Sequence, residues 1–128
     1  FNKETEHPVI SLQEEQQGIV DMGASMRLGS CASTVYPGTK SFEFYGQTDT
    51  IHERHRHRWE FNPAYREKLE KCGITVASVS KNEGLVEIIE IAEHPFFIGA
   101  QFHPEFKSKP NQPHPLFSGL IAASLENS

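Results

Sequence analysis

Apolar and polar positions alternate along this chain in short stretches, punctuated by Gly, Pro and Asn. That pattern predicts several strands and a few short helices rather than long amphipathic helices. His7–Leu12 reads as a strand after a polar lead-in, and Gln13–Gly23, with its Glu14-Glu15-Gln16-Gln17-Gly18 run, as a mobile loop. Met26–Gly29 and Cys31–Tyr36 read as two short strands, with Gly29 and Pro37-Gly38 as breakers. Ser41–Tyr45 predicts a short helix stopped by Gly46.

Ile51–Phe61 is charged but alternating. As one strand it sends Arg54, Arg56 and Arg58 to one face, and His55, His57 and Trp59 to the other. Asn62 then caps a helix that Pro63 opens, that runs to Cys72 and that Gly73 closes, with Tyr65 and Leu69 sharing its inner face. Ile74–Ser80 and Leu85–Ile91 predict strands around an Asn82-Glu83-Gly84 turn. The run Phe97–Phe102 has the aromatic and β-branched chemistry of a strand, and Pro104 should end it. A Pro-rich connector over Lys109–Pro115 leads to a last helix over Leu116–Leu125.

The length, 128 residues, allows one domain with a modest core. The net charge of −5 argues against nucleic acid or an anionic membrane as partner. No apolar run approaches the roughly 18 residues of a membrane span. The two cysteines, Cys31 and Cys72, lie far apart and fit a reducing compartment, hence a cytoplasmic location, better than a disulfide scaffold. The opening Phe1-Asn2-Lys3-Glu4 has neither a start Met nor a signal-peptide pattern, so the chain is expected to be a piece of something longer.

Chemistry concentrates where Phe97–Phe102 ends, in His103-Pro104-Glu105. Open α/β sheets keep their reactive groups at such strand tips. A histidine acting as a general base needs one ring nitrogen toward a nucleophile and the other held by an acceptor, and a carboxylate two residues on can be that acceptor. The bland alternative is a buried histidine beside a surface glutamate, and the triplet alone does not decide, because H-x-E occurs often by chance. A zinc deaminase signature would also need P-C-x-x-C, which neither Cys31 nor Cys72 supplies.

Arg54-His55-Arg56-His57-Arg58 is the second informative stretch. Its arginines suit nucleic-acid phosphates, but Glu53, Glu60 and the acidic balance oppose that. His55 and His57, with Glu60 nearby and His52 as a candidate third ligand, suit a metal. An arginine fork suits a substrate carboxylate, and a neutralised surface strand is the bland reading.

The longer context Gln101-Phe102-His103-Pro104-Glu105-Phe106, after His94-Pro95-Phe96-Phe97, resembles the C-terminal part of a class I glutamine amidotransferase domain. Within that group it is most similar to the CTP synthase family. Met26-Arg27-Leu28-Gly29, Glu53–Glu60, Leu85–Glu90 and His114–Leu120 appear in that family's order and extend the resemblance over nearly the whole chain. The resemblance implies an α/β fold: the C-terminal part of a three-layer sandwich with a mostly parallel central sheet, residues 1–128 being one portion of a single amidotransferase domain.

It implies His103 and Glu105 as members of a catalytic triad, and Arg58, the last arginine of its block, as the residue that binds L-glutamine. His55 and His57 then become packing and hydrogen-bonding residues under the site, and no metal is implied. The nucleophilic cysteine is not in this chain: Cys31 lacks the family's G-x-C-x-G setting and Cys72 ends a charged helix. The implied partners are an upstream segment carrying that nucleophile and an N-terminal synthase domain, where ATP and magnesium serve the amination of UTP to CTP, in an enzyme that forms homo-oligomers. Residues 1–128 alone should be inactive.

Overall fold

The computed structural model describes residues 4–12 and 27–128. The loop expected over Gln13–Gly23, and Met26, lie outside the described residues. The elements in chain order are β1 (Ile10–Leu12), β2 (Arg27–Val35), α1 (Lys40–Phe44), β3 (Thr50–His57), β4 (Trp59–Phe61), a 3-10 turn (Pro63–Tyr65) running into α2 (Arg66–Glu70), β5 (Thr75–Ser80), β6 (Val86–Glu90), β7 (Ile98–Ala100), a second 3-10 turn (Pro104–Phe106) and α3 (Pro115–Glu126).

Five strands form one sheet in the order β3-β2-β5-β6-β7, and β1 pairs with β4 in a separate ribbon. The sheet carries two apolar faces. On one, Val35, Ile51, Ala77, Ile88, Phe102 and Leu116 form a core closed by Phe42, Phe44 and Tyr45 from α1 and its end. On the other, Phe61, Val76 and Val86 pack with Ile10, Leu69 and Ile89, so the ribbon and α2 make the third layer. Burial on both faces also takes in polar residues of β5 and β6: Ser78, Ser80, Glu87 and Glu90 are all buried.

The expected α/β sandwich is therefore present, but three local expectations need correction. The sheet is not mostly parallel: every pairing among the described residues is antiparallel. Short links such as the 81–85 turn between β5 and β6 can return the chain only antiparallel, whereas a parallel neighbour needs a crossover of roughly a dozen residues or more. Among the described residues β7 pairs with β6 alone and lies at the edge of this sheet. Its Gly99 faces Ile89 so closely that a Cβ would lie 3.2 Å from Ile89 Cγ1, which accounts for a glycine there.

The two short strands expected around Gly29 are one strand. Gly29 takes φ +92° inside β2 while the ladder with β3 runs unbroken from Arg27↔His57 to Thr34↔Thr50. Glycine reaches that conformation at little steric cost, so it bends the strand without ending it. Conversely, Ile51–Phe61 is not one strand: it breaks at Arg58, where the chain leaves β3 in the main sheet and enters β4 in the ribbon. The helices follow their caps. Thr39 accepts from Phe42 N–H, Asn62 from Ala64 N–H, and His114 Nδ1 from Leu116 N–H.

Candidate active site

Beyond β7 the chain turns at Gln101–Phe102 and presents His103. The His103 amide donates to the Arg54 carbonyl at 2.9 Å, which ties the strand tip to β3. Pro104 opens the 3-10 turn, and that turn swings Glu105 back beneath the imidazole. Glu105 Oε1 lies 2.7 Å from His103 Nδ1. The Phe106 ring stacks on the imidazole, with centroids 4.9 Å apart and planes 19° from parallel. The ring is held from below and on one edge and is 36% exposed, and its other nitrogen, Nε2, has no hydrogen-bond partner among the described residues. The hydrogen bond from His103 holds the Glu105 carboxyl below its ordinary range, so Glu105 is the acceptor in this pair.

The arginine block behaves as its alternation predicts over β3. Arg54 and Arg56 are exposed, while Glu53 and His55 are buried. Arg58, at the break, is half-buried and pairs with no acid among the described residues. His55 and His57 do not converge on an ion position. His55 Nδ1 and His57 Nε2 lie 2.8 Å apart, facing each other, and no three His, Cys, Asp or Glu side chains among the described residues are grouped to hold a metal.

The proton positions in this pair follow from its neighbours. His57 Nδ1 is 3.1 Å from the Trp59 carbonyl, which can only accept, so Nδ1 carries the proton. In the neutral ring, Nε2 then accepts from His55 Nδ1–H. That leaves His55 Nε2 as a lone pair facing Glu87 Oε2 at 3.4 Å, while Arg27 Nη1 sits 2.6 Å from Glu87 Oε1. Burial and the adjacent Arg27 push His55 down to about 3, so it stays neutral. Burial pushes the Glu87 carboxyl up to about 7 despite Arg27. A protonated Glu87 has a proton to offer His55, while its other oxygen lies against the Arg27 charge.

The sequence grouped His55 and His57 with Glu60 and made the two histidines hydrogen-bonding residues under the site, but did not join them to Arg27, Glu87 and Gln101. A signal was present in Val86-Glu87-Ile88-Ile89-Glu90: a strand apolar on both faces buries its glutamates, and buried carboxylates need partners. Glu90 finds them at the start of α1, accepting from Lys40 N–H, Ser41 N–H and the Ser41 hydroxyl. Glu53 finds them in His114 Nε2 and the Tyr45 hydroxyl, at 3.1 and 3.0 Å. A cleft of about 750 Å³ opens beside that cluster, lined by residues that include Arg54, Phe106 and Lys107 but neither His103 nor Arg58.

Both cysteines are free thiols: Cys31 lies inside β2 and Cys72 is exposed just after α2. Neither sits on a sharp strand-to-helix turn.

The profile of the class I glutamine amidotransferase family matches residues 2–123, and the chain belongs to that family. Among individual proteins it is similar to the CTP synthase of Synechococcus sp., 54% identical over 125 residues, which cover 98% of this chain and 23% of that protein. The CTP synthase of Thermosynechococcus vestitus is 54% identical over 128 residues, all of this chain and again 23% of the relative. In three dimensions it is similar to the glutaminase domain of Trypanosoma brucei CTPS with bound acivicin, with a TM-score of 0.85 and 36% identity, over 97% of this chain and 48% of that one. The chain thus spans under a quarter of the length of the curated relatives described here.

Proposed function

We propose that this chain is the acid–base half of a glutaminase that feeds a CTP synthase. In the complete protein, glutamine is hydrolysed to glutamate and ammonia, and a separate N-terminal synthase domain uses the ammonia, with ATP and magnesium, to aminate UTP to CTP. The observation that carries this reading is the His103–Glu105 pair: a carboxylate fixes Nδ1 at 2.7 Å, and Nε2 of the exposed ring has no hydrogen-bond partner among the described residues. That arrangement suits proton transfer with a thiol brought from elsewhere in the protein.

His103 takes the proton of a cysteine thiol supplied by a segment outside residues 1–128. The thiolate attacks the side-chain amide carbon of glutamine, and His103 returns the proton to the leaving ammonia. It then activates water against the thioester and glutamate leaves. Glu105 holds the imidazole in the Nδ1–H tautomer and stabilises the imidazolium. Arg58 receives the α-carboxylate of glutamine, for which the planar guanidinium offers two parallel donors. No metal takes part in this step. We further propose a cytoplasmic homo-oligomer.

Glutamate release separates the parts of this reading. Residues 1–128 alone should release none, whereas the complete polypeptide should. In the complete polypeptide, Arg58→Lys should raise the KM for glutamine by about 5- to 150-fold, the equivalent of losing a charged hydrogen bond worth about 1–3 kcal/mol. Turnover by the isolated chain that disappears in Cys31→Ser/Cys72→Ser would move the nucleophile into this chain. An unchanged KM would remove Arg58 from the site.

A further inference from the structure

Arg58 is the single residue between β3 and β4, at the point where the chain passes from the five-stranded sheet to the ribbon. No ladder holds it and no acid pairs with it among the described residues. Its position is set by what fixes its two neighbours. Before it, the His57 ring is gripped through Nε2 by His55 and through Nδ1 by the Trp59 carbonyl, with Glu60 Oε1 at 3.3 Å. After it, that same Trp59 carbonyl accepts a second hydrogen bond, from Gln101 Nε2 at 2.8 Å. Gln101 Nε2 also lies 3.2 Å from Glu60 Oε2, and the Gln101 amide donates to the Glu87 carbonyl at 2.9 Å. Gln101 stands two residues before His103.

We infer that Gln101 and His57 are positioning residues for Arg58, joined through the Trp59 carbonyl, and that Gln101 thereby sets the distance between the carboxylate-binding arginine and the acid–base histidine. The inference rests on the reading of Arg58 given above. The physical need is plain. Glutamine has its α-carboxylate at one end and its reacting amide at the other, so the two protein groups that meet those ends must keep a fixed separation. A lone arginine at a chain break does not keep it. A carbonyl held by two donors, one from each side of the site, does. The Trp59 carbonyl has two lone pairs, and His57 and Gln101 occupy both.

The test uses the complete polypeptide with glutamine and, separately, with ammonia as nitrogen source. Gln101→Met keeps the length and loses the donor. It should raise the KM for glutamine about 3- to 10-fold, as expected for one neutral hydrogen bond, with kcat changed less than about two-fold and the ammonia-supported rate unchanged. His57→Asn places an amide N–H where Nδ1–H stood and should keep most of the affinity that His57→Leu loses. The decisive arm is the double variant. In an Arg58→Ala background, Gln101→Met should add nothing further to KM, because the residue it positions is gone. If Gln101→Met multiplies KM by the same factor in both backgrounds, lowers kcat at constant KM, or changes neither, the positioning role is wrong. If Arg58→Ala itself leaves KM unchanged, the reading of Arg58 fails first and the inference falls with it.

Discussion

His103 and His114 each face a glutamate across a hydrogen bond, and their surroundings separate what the two pairs can do. His103 and Glu105 lie 2.7 Å apart at the end of a strand, with side chains 36% and 56% exposed. His114 and Glu53 lie 3.1 Å apart with side chains 2% and 1% exposed. His114 has both nitrogens committed, Nδ1 accepting from the start of α3 and Nε2 donating to Glu53. Glu53 also takes the Tyr45 hydroxyl. Burial alone would raise the Glu53 carboxyl, but the hydrogen bond from His114, with Lys107 and Tyr45, outweighs it and holds that carboxyl below its ordinary range. One pair has a nitrogen to spare and the other has none. The same two residue types therefore leave a ring nitrogen available in one place and make a fully committed structural tie in the other.

This comparison can be broken from either side. The largest expected effect is on turnover at the exposed pair. Glu105→Ala in the complete polypeptide should lower glutamine kcat by about 10²- to 10⁴-fold through loss of the tautomer and of imidazolium stabilisation. The melting temperature should hardly move, because an exposed ion pair contributes about 0–1 kcal/mol. Steady-state kinetics beside a thermal melt would show both.

Next in size is the buried pair, with the opposite signature. Glu53→Ala leaves His114 and Tyr45 facing an empty space and should cost about 3–5 kcal/mol, as breaking a buried pair does. Denaturant titration would measure it, and the KM for glutamine of whatever stays folded should be near that of the parent. A fall in kcat without loss of stability would erase the distinction between the pairs.

A smaller perturbation reaches the same tie without touching it. A Cβ at Gly119 in α3 would lie 2.9 Å from the Phe44 ring in α1. Since His114 caps α3 and Tyr45 follows α1, Gly119→Ala should push the two helices apart and cost about 1–3 kcal/mol. The loss should show in the melt and not in KM.

The smallest effect is a pH dependence, because two groups oppose each other. His55 is held down to about 3 against an ordinary 6.5, so between those values the unfolded chain binds the extra proton and stability falls as pH drops. Glu87 is pushed up to about 7 from 4.5, so in that window the folded chain binds the extra proton and stability rises as pH drops. Melts of Glu87→Gln from pH 7 to 5 should therefore fall with acidification more steeply than those of the parent. A shallower slope would mean that Glu87 is ionised in the fold.

Much of the site was legible in the residues. The short range of His103-Pro104-Glu105 makes its geometry local: one proline-opened turn brings the carboxylate under the ring. The alternation of Glu53–His57 likewise placed arginines outward and histidines inward, as two-residue periodicity requires. The direction of the strands was not legible. An apolar run such as Phe97–Phe102 has the same composition whether its neighbours run parallel or antiparallel, and here β7 pairs antiparallel with β6. Nor was the break at Arg58 visible, because it depends on which sheet each half joins and not on a breaker residue. Gln101 stands out in the sequence only as part of the Gln101–Phe106 motif. Its hydrogen bond spans from residue 101 to residue 59, a contact that no local pattern announces.

The central claim is that the exposed imidazole serves ammonia release and nothing later. It is tested most directly by measuring CTP formation by His103→Ala in the complete polypeptide, once with glutamine and once with free ammonia. The account predicts that the glutamine-supported rate is lost while the ammonia-supported rate stays at the parent level. Equal loss of both rates in a variant with an unchanged melting temperature would contradict it.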